Sequence, residues 1–229
     1  MQWDESSAPS TIFWREVTRL ASAVRIASIT LAAAVLAGCI ALLSLEHGVQ
    51  RWSIGTAYAA VFLIAYALVL GPVNVIKARP NPVHSALRRD IGISAGLMSI
   101  AHTVLGLQVH MGGDLTRYFF RGSAPASATG NLFLGANWLG LLSAIVLVCV
   151  TVISNDPSLR SLGLKTWKKV QRFVYPAGAL AVLHGFAYQA LEKRSTGAIL
   201  LIAILTIAVI GLQLAGMRAK RRNAALRSS

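Results

Sequence analysis

The chain has 229 residues, 55% of them apolar and only 13% charged, and its mean hydropathy is +0.61. A soluble domain carries about 25% charged residues; here the few charges fall in short clusters between apolar runs of roughly 20 residues, the length of a helix that crosses a bilayer. A net charge of +14 would point to nucleic acid in a soluble protein, but these Lys and Arg residues flank the apolar runs, as topology control and anionic headgroups require, so nucleic acid is excluded as a partner.

Residues 1–22 are mixed, and Ile12, Phe13, Trp14, Val17 and Leu20 predict a short cytoplasmic helix lying at the interface. Six spans follow: Val24 to Leu45, Trp52 to Val75, Ile91 to Met111, Leu132 to Ile153, Val170 to Ala190 and Gly197 to Gly216. The first is too long for a signal-peptide core. The expectation is an all-α membrane protein with one six-helix domain over 23–216 and a basic cytoplasmic tail over 217–229. The short loops leave no room for a flavin domain or a nucleotide module. Cys39 and Cys149 lie inside apolar runs, without metal-site spacing or a disulfide framework.

Orientation follows from the basic residues. Segments on one side, including both termini, hold 15 Lys and Arg and the opposite loops hold 5, with Arg25 and Arg172 just inside spans on the richer side. Cytoplasmic loops carry the excess, so both termini are expected in the cytoplasm of a bacterial-type inner membrane.

An ionisable residue deep in a span is costly and points to function. Of five histidines only His102 and His184 lie well inside spans, the third and the fifth, which both run outward. His102 stands 13 residues past Arg89 and His184 stands 15 past Lys169, which at 1.5 Å per residue puts both roughly 20 Å from their basic anchors. Two imidazoles at one depth on parallel helices can face each other across a flat ligand, and haem needs one axial nitrogen from each side. Gly92, Gly96 and Gly106 on the third span and Gly178 and Gly185 on the fifth fit a backbone left bare for a macrocycle, although small residues also let membrane helices pack closely. His47 and His110 fall near the outer ends of their segments, and His84 lies in a cytoplasmic loop. None of the eight Asp and Glu residues is placed deep in a span, which argues against a proton-coupled carrier.

Two stretches carry a resemblance: R-R-D-I-G-I at 88–93 with A-H at 101–102, and S-N-D at 154–156, L-R-S-L-G at 159–163, W-K-K-V-Q-R-F-V-Y at 167–175 and A-V-L-H at 181–184. They resemble the ferric-reductase-like transmembrane domain family, in particular the haem-binding membrane subunit of the periplasmic methionine-sulfoxide reductase system. The likeness covers spans two to five. It implies haem b, with His102 and His184 as the outer axial pair. The family often binds a second haem, but this chain has Gln171 where the motif W-x-x-x-H-R-x-x-Y has histidine, and Arg88 stands 14 residues before His102. Two readings of the inner site follow: it binds an anionic or quinone-like group through Arg88 and Gln171, or the arginines only reach to headgroups; a second haem would need another ligand there.

The resulting expectation is a haem b electron-transfer subunit of an oxidoreductase, held in membrane lipid. It would pass electrons from a cytoplasmic or quinol donor, or a redox partner protein, toward an outer acceptor. The alternative is a cofactor-free six-helix scaffold or channel-like subunit whose histidines only pack.

Overall fold

The computed structural model describes residues 11–77, 82–121, 128–192 and 196–226. Seven α-helices follow one another: α1 (Thr11–Leu43), α2 (Gly48–Ile76), α3 (Pro82–Val109), α4 (Ala128–Val152), α5 (Asp156–Gln171), α6 (Val174–Leu191) and α7 (Thr196–Ala225). A 3-10 turn (Met111–Gly113) and a π-helical turn (Arg117–Arg121) lie between α3 and α4. The described residues contain no strand.

Five helices (α1, α2, α3, α4 and α7) are long and apolar enough to cross a membrane. The packing is what lipid demands. Alanines 33, 37, 41, 59, 60, 65, 67, 95, 136 and 177 are buried, while large side chains such as Leu31, Leu42, Ile204 and Ile207 are exposed. In water that distribution would be reversed; in a bilayer, small residues let backbones meet and large ones face the hydrocarbon. The chain is an all-α, multi-pass membrane protein whose apolar helices contact lipid.

α2 is the hub, packing on α1, α3, α6 and α7, and α4 packs mainly on α6. A Cβ on Gly55 would lie 2.1 Å from the Ala37 carbonyl oxygen, so α1 and α2 cross with only a glycine between them. α7 meets α2 at Pro72, where a Cβ on Gly216 would come within 2.7 Å of the proline ring.

Three features differ from the sequence expectation. The segment 11–22 is continuous with the first span, since α1 runs unbroken from Thr11. The fifth apolar run is divided: Val170 and Gln171 end α5, and α6 starts at Val174 after a turn at Arg172 and Phe173. Pro176 explains the turn, because it has no N–H to donate to Arg172 and its ring crowds that carbonyl. α6 is thereby only 18 residues long, carries His184, Tyr188 and Gln189, and is not among the helices long and apolar enough to cross a membrane. Finally, Asp90 is not left outside the third span. It lies within the apolar stretch Ala86–Val109 and is 0% exposed.

Asp90 is compensated where it sits. Ser22 donates to one carboxylate oxygen at 2.7 Å and Arg25 Nε to the other at 2.8 Å. Arg89 approaches at 3.6 Å and also pairs with Asp156 at 2.9 Å. The cluster ties α1 to α3 and to the start of α5, where Asn155 caps the helix by accepting from Ser158 N–H at 2.8 Å. Gly163 breaks α5 at φ 70° and ψ 156°, a region open essentially to glycine alone.

Candidate functional site

The two histidines singled out by depth meet in the bundle: the ring centres of His102 and His184 are 6.2 Å apart, with planes inclined at 65°. Each comes from a different helix and is held by a third and a fourth. His102 on α3 donates from Nδ1 to the Ser53 carbonyl of α2 at 2.9 Å, with Ser53 Oγ at 3.3 Å from the same nitrogen. His184 on α6 donates from Nδ1 to the Ala136 carbonyl of α4 at 2.7 Å. The ring of His184 needs room beside the Ala136 carbonyl. Gly140 leaves it: a Cβ there would lie 2.7 Å from both Cε1 and Nδ1 of His184.

With Nδ1 committed as donor, the tautomer is set and Nε2 carries the lone pair. Both rings line one cavity between α2, α3, α4 and α6, otherwise walled largely by apolar side chains such as Ile64, Leu141 and Leu147. Two unprotonated imidazole nitrogens with their other nitrogens bonded to carbonyls are the usual arrangement of histidine metal ligands. Among the described residues no three His, Cys, Asp or Glu side chains converge on a metal-ion position.

Toward the α3 C-terminus the cavity becomes aromatic and polar. The Tyr188 ring lies 4.9 Å from His184. Its hydroxyl is 3.0 Å from that of Tyr118 and donates to Asn137 Oδ1. Asn137 in turn donates to the Tyr118 carbonyl at 2.8 Å, and Trp138 donates to the Phe119 carbonyl at 3.0 Å, which pins the π-helical turn onto α4. Burial raises the Tyr118 phenol above its usual pKa; the bond to Tyr188 opposes this and the Glu192 carboxylate adds to it. His110 stacks on Tyr188 at 5.8 Å and pairs with Glu192 at 3.2 Å. His47 is exposed; the side chain of His84 lies outside the described residues.

Arg88 and Gln171 have different hydrogen-bond partners. Arg88 reaches the Tyr175 hydroxyl at 3.5 Å, Gln171 donates to Ser154 Oγ at 3.0 Å, and neither lines the histidine cavity. Because α5 ends at Gln171, this residue does not share a helix with His184. The glycines also divide. Gly96 packs against Thr151 and Gly178 against Ile64 and Leu68, whereas Gly92 has open space beside it. Gly106 and Gly185 line the cavity. Sequence reasoning missed Gly140 and Tyr188. Tyr188 follows His184 by four residues and so shares its helix face, a signal that was available; Gly140 had none, because its partner is on another helix.

No model of a known protein family matches the chain, and no curated protein matches it.

Proposed function

We propose that the chain is a haem b transmembrane electron-transfer subunit, with His102 and His184 as the axial ligands. The observation that carries this reading is the 6.2 Å between ring centres together with Nδ1 bonded away on both rings. A metal–imidazole bond is about 2 Å long and the ring centre lies roughly 1 Å behind the nitrogen, so two imidazoles reaching one metal from opposite sides would have centres about 6 Å apart. The residues present fit the group. An iron porphyrin supplies reversible one-electron chemistry. The protein's part is to supply two neutral nitrogens, fix their tautomers through Ser53 and Ala136, and surround the site with apolar helix walls that exclude water.

The resemblance to the ferric-reductase-like transmembrane family supports the same reading, with six spans that include α6, both termini in the cytoplasm and an inner-membrane location. Electrons would enter from quinol or from a cytoplasmic redox protein and leave toward an acceptor on the outer side. The Arg88 and Gln171 positions fit a single haem, since neither offers a nitrogen ligand suited to iron.

Spectra of the purified protein test this. We expect a Soret band that sharpens on reduction with dithionite, lost in His102→Ala and in His184→Ala and kept in His47→Ala. A wild-type protein that stays colourless after expression with ample haem sinks the reading and leaves a cofactor-free helical scaffold.

A further inference from the structure

We propose that Gly140 and Tyr188 are positioning residues that set the plane of the His184 ring, so that the chain presents its two imidazoles with planes strongly inclined to one another. This deepens the haem reading and rests on it.

The two rings are held differently. His102 is fixed by the carbonyl and hydroxyl of Ser53, and its nearest glycine, Gly106, makes only ordinary contact, a Cβ there lying 3.9 Å from Cε1. His184 is wedged. A Cβ on Gly140 would stand 2.7 Å from Cε1 and Nδ1 and 3.2 Å from Cγ, so the Nδ1 edge of the ring occupies the space a side chain would fill. The Tyr188 ring lies 4.9 Å away, inclined at 54°. Tyr188 cannot drift, because its hydroxyl is bonded to both Tyr118 and Asn137, and Asn137 is bonded to the Tyr118 backbone. The ring turns about its Cβ–Cγ bond, and the bare Gly140 surface and the pinned phenol bound that rotation from two sides. The outcome is the 65° between the imidazole planes.

That angle has a readable consequence. When two imidazoles bind one ferric iron, the angle between their planes controls how far the iron d orbitals of π symmetry are split. Near-parallel rings give a low-spin EPR spectrum with three resolved g values. Strongly twisted rings give a highly anisotropic spectrum dominated by one large low-field feature.

The experiment is EPR of the oxidised, purified full chain, comparing wild type with Gly140→Ala, Tyr188→Leu and Gly135→Ala. Gly135 lies on the same helix with nothing within 4 Å of an added Cβ, so Gly135→Ala should superimpose on wild type. We expect the single low-field feature in wild type, and a shift of that feature in both Gly140→Ala and Tyr188→Leu. Tyr188→Leu adds no bulk against α4 and carries the test by itself if Gly140→Ala fails to accumulate. A wild-type spectrum with three resolved g values overturns the inference, and so do haem-loaded variants at 140 and 188 whose spectra superimpose on wild type. A colourless wild type overturns the haem reading and this inference together; coloured protein with unmoved spectra overturns only the positioning role.

Discussion

A charge buried in a helix bundle is tolerated only when its neighbours are arranged around it, and Asp90 shows the asymmetry that results. The carboxylate is fully buried, while Arg25, its closest cation, is 41% exposed. Removing the arginine leaves a buried anion short of its main partner, a change that costs about 3–5 kcal/mol where no other group compensates. Removing the aspartate frees an arginine that can reach headgroups with its long stem. Arg25→Ala should therefore lower thermal stability in detergent more than Asp90→Ala, with Arg89 and Ser22 softening the loss. Equal or reversed losses would show that the cluster is not organised around the carboxylate. Sequence reasoning set Asp90 outside the span because Arg88 and Arg89 precede it and look like a cytoplasmic boundary. Its partners Ser22 and Arg25 are more than sixty residues away, a relation that only packing creates. The histidine pair was legible because each is an ionisable residue well inside an apolar run, although the count of His184 from Lys169 crosses the break between α5 and α6.

At the level of helices, side-chain size decides which surfaces meet. A Cβ at Gly55 overlaps the Ala37 carbonyl oxygen, whereas a Cβ at Gly38 would find only Trp52 at 3.9 Å. Gly55→Ala should force α1 from α2 and lower stability by about 1–3 kcal/mol, as overpacking does. Gly38→Ala should be neutral or stabilising by up to about 1 kcal/mol through helix propensity. Unfolding in mixed micelles compares the two, and similar effects from both would contradict the close α1–α2 crossing. The division of the fifth apolar run was harder to read. Pro176 was visible in the sequence, but proline near a helix start is equally at home in the first turn, so its break at Arg172 and Phe173 showed only with α5 in place. That break sets Gln171 and His184 on separate helices.

Taken whole, the molecule has small residues inside, large apolar ones outside and a basic helix, α5, that buries none of its residues. Apolar helix length and charge bias were readable one segment at a time, which made the membrane class and most helix positions accessible from sequence. The π-helical turn and the Tyr118–Tyr188–Asn137 cluster were not, since they depend on how α4 and α6 come together. The basic asymmetry predicts that Leu45→Cys, between α1 and α2, and Ser161→Cys, on α5, lie on opposite sides of the membrane. With Cys39 and Cys149 replaced, an impermeant thiol reagent on intact cells should label the first and spare the second. Labelling of both or neither contradicts the assigned topology.

The central claim is that this bundle holds one haem between two particular histidines. Quantifying haem b per chain by pyridine haemochrome, in wild type and in the two single-histidine variants, tests it most directly. We expect one haem per wild-type chain and none in His102→Ala or His184→Ala; no haem in wild type, or full occupancy in either variant, would rule out this pair as the haem's holders.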